Sequence, residues 1–133
     1  MVDVQIYSRG FPEAARLRQA KEVFEQADYP IWIHCKAGAD RAGIYSTLYQ
    51  YFRQHIPIER TDQLRLWPYG HIRHSSAGKI DFYFDAYLAY RKEHPEVELL
   101  EWAENTFDRE KLEREFKAGG LASFVNDVLL KRE

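Results

Sequence analysis

Apolar and polar positions change period several times along this chain of 133 residues. Residues 2–7 alternate and are rich in β-prone side chains, which predicts a short strand. Residues 8–12 break that pattern, and Pro12 suits the first position of a helix. Leu17, Ala20, Phe24 and Ala27 then recur at helical spacing, predicting a helix that ends near Asp28, ahead of Pro30. Ile31-Trp32-Ile33-His34 reads as a compact apolar strand, and residues 35–40 as a small, glycine-containing loop. A second helix is expected over residues 41–54, carrying Ile44, Leu48, Tyr51 and Phe52 inward.

Helical patterns dominate the remainder. Residues 59–66 predict a short helix, ended by Trp67-Pro68-Tyr69-Gly70, and residues 75–79 a loop. Ile80, Phe84, Tyr87, Leu88 and Arg91 define a longer amphipathic helix, and Pro95 separates it from a segment over 98–105. Asp108 is expected to cap a charged helix that stops at Gly119-Gly120. A last helix over 121–130 would place Phe124, Val125, Val128 and Leu129 on one face.

Strand, helix and strand in that order make a βαβ unit and imply a parallel pair. The expected fold is therefore α/β: a parallel-stranded sheet core flanked by helices, with a mostly helical C-terminal half. Two strands fall short of the roughly four to six of an ordinary sheet. Either further strands escape the pattern, or residues 1–133 form a single domain truncated at its N-terminal strands. In the second case the exposed sheet edge beside residues 2–7 would be covered by a partner chain, such as a second copy in a homodimer.

Composition narrows the function classes. Hydrophobic residues make up 45% and aromatics 15%, too many for an intrinsically disordered chain. Nineteen basic against 21 acidic residues leave a net charge of −2, which argues against a basic nucleic-acid binder and against an acidic tail. The single cysteine excludes an intrachain disulfide scaffold. No apolar run reaches the ~18–20 residues of a membrane span, and the N-terminus lacks the pattern of a secretory leader. A cytoplasmic location with a free thiol follows as the expectation.

The candidate chemistry lies in residues 33–43. Cys35 stands at the end of a strand, and a helix begins just beyond it. Backbone amides of Lys36, Ala37, Gly38, Ala39 and Ala42, in the loop and first helical turn, would converge on an anion, since unpaired N–H groups and the helix dipole favour negative charge. Gly38 allows a tight turn. Arg41, six residues after Cys35, can offer its planar fork to a phosphate. The same positive field favours thiolate at Cys35, a nucleophile facing a cradled phosphate. The alternative for a lone cysteine is an inert buried thiol, but packing gives no reason for the glycine and arginine at this spacing.

His34-Cys35, Gly38, Arg41 and Gly43 reproduce the His-Cys-x-x-Gly-x-x-Arg signature of the cysteine-dependent protein tyrosine and dual-specificity phosphatases, and the loop especially resembles a bacterial group of dual-specificity-like phosphatases. Its Cys-Lys-x-Gly opening also resembles phosphoinositide phosphatases. The resemblance implies a protein tyrosine phosphatase-like fold and a phosphocysteine intermediate formed on Cys35 and hydrolysed by water. Arg41 would bind the phosphoryl oxygens, and His34 would support the loop and its cysteine beside the substrate. No metal or other cofactor is implied, and the partner is a phosphorylated protein, lipid or sugar phosphate.

The chain departs from the family pattern in two places. Ala42 stands where a serine or threonine usually helps the thiolate depart, so that service would fall to another donor such as Ser46 or Thr47, each also readable as an ordinary helix hydroxyl. No carboxylate occurs in residues 8–12, the equivalent of the general-acid loop. Asp3 lies in the first strand, which leaves Asp40, inside the loop, as the better acid; the same residue also suits a helix N-cap. Around this centre, Lys36 and Arg9 could contact substrate or be solvated loop cations. Gln63 could position water or lie on a polar helix face. His71 and His74 read as loop or helix-end histidines, with a role in shaping the pocket rim as the alternative and no third ligand pattern to make them a metal pair. Tyr83, Tyr87 and Tyr90 read as core and surface of one helix.

A phosphate-binding module without turnover is the competing function. Sulfur or arsenate chemistry is a third, disfavoured by the length of the Cys35–Arg41 loop and by the absence of further cysteines.

Overall fold

The computed structural model describes residues 2, 4–6, 10–36, 38–64, 70, 71 and 78–130, with residues 120–130 as backbone only. Among the described residues five α-helices carry the fold: α1 (Ala14–Gln26), α2 (Asp40–Phe52), α3 (Lys79–Glu93), α4 (Leu99–Asn105) and α5 (Arg109–Leu130), with a 3₁₀ turn at Ile58–Arg60. α1 buries Leu17, Ala20 and Phe24, the residues whose spacing predicts it. It packs on α2 and α4, while α3 packs on α5 and the 3₁₀ turn. α2 contributes Ile44 and Leu48, both fully buried, and α3 contributes Ile80, Tyr83, Phe84 and Tyr87.

The centre of the core is aromatic. Tyr83 lies edge-on to Trp102 and Phe107, with ring centres 5.0 and 5.1 Å apart. Its other face stacks on Phe11 at 6.2 Å. Such offset and edge-on pairs contribute ~0.5–1.5 kcal/mol each beyond the area they bury. Lys79, at the start of α3, holds Glu113 of α5 at 2.7 Å and places its ammonium over the Phe11 ring. Arg109 donates to the Phe11 carbonyl at 2.8 Å, so the N-terminal segment is tied to α5 as well.

The expected parallel sheet is not formed: among the described residues there is no β-strand, and the fold is all-helical. The described residues of the two β-prone segments form no regular element, and the second alternates, with Ile31 and Ile33 half-buried and Trp32 and His34 exposed. They do not ladder. Instead Val2, Val4 and residues 31–34 line a common groove of about 370 Å³, closed on one side by Phe24 and Val23 of α1. The Val4 carbonyl accepts a hydrogen bond from the Tyr45 hydroxyl of α2. Alternation reports which side chains turn inward, but helices supply the surface they meet, and two strands alone make a marginal sheet.

Two helix expectations also change. Of residues 59–66, the described residues 59–64 give only the end of the 3₁₀ turn, because the Thr61 hydroxyl closes on the Ile58 carbonyl at 2.7 Å and the Asp62 amide turns to Gln50 of α2. In contrast, α5 runs unbroken through Gly119 and Gly120. A helical glycine costs only ~1 kcal/mol relative to alanine, too little to end a helix whose neighbours favour it. Asp108 does cap this helix, accepting from the Lys111 amide at 3.2 Å. Residues 65–69 and 72–77 lie outside the described residues, as do the side chains of Phe124, Val125, Val128 and Leu129.

Candidate active site at the cysteine loop

The irregular segment from Ile31 leads to Cys35, which is partly buried. Gly38 then takes φ +72°, the left-handed conformation in which any other residue is strained, and nothing lies within 4 Å of where its Cβ would be. Ala39 is the N-cap of α2 and has no side chain able to cap it. The first intrahelical bond runs from the Gly43 amide to the Ala39 carbonyl at 3.1 Å. The preceding amides are the unpaired donors of a helix start. One of them, that of Ala42, donates to the Cys35 sulfur at 3.4 Å. A sulfur that accepts a helix-start N–H sits where the dipole stabilises negative charge, which favours thiolate.

Arg41 and Lys36 are exposed beside this sulfur, and Arg41 forms no ion pair among the described residues. Ala39 and Ala42 are buried, so they bring backbone rather than side chain to the loop. His34 is exposed, and its ring lies 5.0 Å from that of Trp32 rather than under the loop. Ala37 lies outside the described residues, as do Asp3, Arg9 and His74.

Asp40 is the first residue of α2, one place beyond the N-cap. Its carboxylate does not cap the helix but meets a buried histidine. His71 is 2% exposed. Its Nδ1 lies 2.9 Å from Asp40 Oδ1, and its Nε2 lies 2.6 Å from Asp81 Oδ2, in the first turn of α3. Burial opposes charge on this ring and is the largest single influence, but the two carboxylates together outweigh it and raise the pKa above the ordinary 6.5. Gly70 precedes His71 with φ +79°, and its Cβ position lies 4.0 Å from the Ala39 side chain, so this segment reaches the helix cap itself.

A second segment packs on the same turn. A Cβ on Gly43 would lie 2.9 Å from Leu64 Cδ2 and 3.1 Å from the Gln63 carbonyl. Gly43 is thus needed for close approach. Gln63 stands beside the first turn of α2, outside any helix, with its amide donating to Asp62 at 2.8 Å. Asp62 also accepts from Gln50 at 2.8 Å. Thr47, two turns into α2, is fully buried and its hydroxyl has no partner among the described residues, whereas Ser46 is half-buried.

Sequence reasoning thus brings together Cys35, Asp40, Arg41 and the helix-start amides, but treats His71 as peripheral. The usable signal is a histidine after a glycine, with an aspartate opening the next helix, and it is faint. Among the described residues no helix is long and apolar enough to cross a membrane, and no group of three or more His, Cys, Asp or Glu side chains is arranged so that it could hold a metal ion. Searches against protein-family models, curated proteins and solved structures find no match to the chain.

Proposed function

We propose that the chain is a cysteine-dependent phosphomonoesterase, as its resemblance to the protein tyrosine and dual-specificity phosphatases implies. The observation that carries this reading is the hydrogen bond from the Ala42 amide to the Cys35 sulfur at the start of α2. It joins a nucleophile and an anion cradle at one point. In the proposed first step the Cys35 thiolate attacks phosphorus, a P–S bond forms, and the bond to the leaving oxygen breaks. Arg41 supplies a bidentate fork to the phosphoryl oxygens, and Asp40 gives the leaving oxygen a proton. In the second step water attacks phosphorus, gives its proton to Asp40, and inorganic phosphate leaves with return of the thiolate.

Burst kinetics on a nitrophenyl phosphate test this, followed by a phosphate-release panel over phosphotyrosine, phosphoserine, phosphoinositide and sugar phosphate. A burst equal to the enzyme concentration is expected in the wild type. Cys35→Ser should abolish turnover and retain phosphate or vanadate binding, and Arg41→Lys should lose much of the activity, because an ammonium cannot reproduce the fork. Wild-type turnover in Cys35→Ser would sink the reading. Phosphate binding without burst or turnover in the wild type would identify a non-catalytic binding module, for which Ala42 in place of a hydroxyl speaks.

A further inference from the structure

The phosphatase reading leaves the buried, titratable His71 unused. His71 sits between Asp40 on α2 and Asp81 on α3, and among the described residues these are the two charged groups that face its ring. Each ring nitrogen is within hydrogen-bond distance of a different carboxylate. The three side chains are graded in exposure: His71 1%, Asp81 10% and Asp40 34%. Only Asp40 therefore opens toward solvent, and it does so at the turn that carries the Cys35 contact.

An acid at this position faces a chemical problem. A freely exposed aspartate has a pKa near ~3.9, so at neutral pH almost none of it holds a proton to give. Asp40 holds Oδ1 2.9 Å from His71 Nδ1, within reach of the proton on that nitrogen. We infer that His71 is a positioning residue that carries the proton Asp40 delivers, with Asp81 holding the far side of the ring. The inference rests on the phosphatase reading above.

The protons balance through both steps. At rest the ring holds both of its N–H bonds and both aspartates are carboxylates. The Nδ1 proton passes to Asp40 Oδ1, which leaves the ring neutral and Asp40 a carboxylic acid, and the carboxyl turns about its Cβ–Cγ bond. As the P–S bond forms and the bond to the leaving oxygen breaks, that oxygen takes this proton, and Asp40 is a carboxylate again. The ring's remaining proton stays on Nε2, held by Asp81, which fixes the tautomer. When water attacks the phosphocysteine, the water proton passes to Asp40 and the Nδ1–H is restored. The ring's raised pKa is consistent with its carrying this proton near neutral pH.

The experiment compares phenyl phosphate, a poor leaving group, with dinitrophenyl phosphate, which departs with little protonation. Wild type, His71→Gln, His71→Asn and Asp81→Asn are assayed for kcat against pH on both. The general-acid contribution is typically about 10²–10⁴. In His71→Gln the ratio of phenyl to dinitrophenyl rates should fall about tenfold or more. The basic limb of the phenyl phosphate profile should vanish. His71→Asn, whose amide can stand near Nδ1 but does not titrate, should restore packing without restoring that limb. Asp81→Asn should shift the limb to lower pH.

Ring titration by NMR in the unaltered protein gives a readout independent of whether the variants fold. A His71 value above 6.5 is expected, and a ring that is already neutral below that value would overturn the inference. Equal losses on both substrates, or an unmoved basic limb, in folded variants of an enzyme that shows a Cys35-dependent burst would sink the relay alone. A wild type without burst or turnover would sink the phosphatase reading and the relay with it.

Discussion

Tyr83 shows how a single atom can be out of keeping with its surroundings. Its ring is the hub of the aromatic core, yet its hydroxyl is buried without a hydrogen-bond partner among the described residues. Burial drives its pKa upward, so the group stays neutral. A buried unsatisfied polar group costs ~1–3 kcal/mol, while the ring contacts do not depend on the oxygen. Tyr83→Phe should therefore raise stability by about 1 kcal/mol, read as a higher urea midpoint at unchanged slope. A lower midpoint would mean that the hydroxyl has a partner. The candidate site is legible at this same scale only where its parts are neighbours in the chain. Cys35, Asp40 and Arg41 fall within one short loop, and chemistry alone groups them. His71 is 31 residues from Asp40, and no local pattern links two positions so far apart.

For elements the contrast between helix and strand is instructive. A helix is encoded within itself, in the spacing of its apolar residues, and α1, α2, α3 and α4 fall close to where that spacing puts them. A strand is completed by another segment, and neither β-prone segment here has a ladder partner among the described residues. Glycine within helices makes the same point in reverse, because one residue type serves two purposes. At Gly119 nothing lies within 4 Å of where an added methyl would stand, so Gly119→Ala should stabilise α5 by about 1 kcal/mol through helix propensity. At Gly43 the methyl would press on the Gln63 carbonyl at 3.1 Å and the Leu64 side chain at 2.9 Å. Overpacking of that kind costs ~1–3 kcal/mol, more than the propensity gain. Gly43→Ala should thus destabilise the protein, and hydrogen exchange should quicken in residues 60–64. Opposite signs for the two substitutions in one thermal-melt series check both.

Across the whole molecule the Asp40–His71–Asp81 cluster couples stability to pH, since it ties α2 to α3. The folded ring has a pKa above its unfolded value of 6.5, so the folded state binds the proton more tightly. That contribution is fully present below 6.5 and fades as pH rises through the folded-state value. The thermal midpoint of the wild type should accordingly fall from about pH 6 to about pH 9 relative to that of His71→Gln. Parallel curves for the two proteins would show that the ring does not gain its proton on folding.

Trp32, at 86% exposure, has a consequence for spectroscopy. An indole in water emits toward the red and meets dissolved quenchers, while one in a core does neither. Trp102, at 4% exposure, supplies the shielded counterpart within the same chain. With the third tryptophan removed by Trp67→Phe, iodide should therefore divide the emission into an accessible and a protected fraction. The accessible indole lies three residues before Cys35, and the exposed cations Lys36 and Arg41 lie beyond it. Those cations draw iodide toward the same loop that would draw phosphate, so phosphate and iodide should compete there, and the light from Trp32 becomes a gauge of how strongly the loop attracts anions.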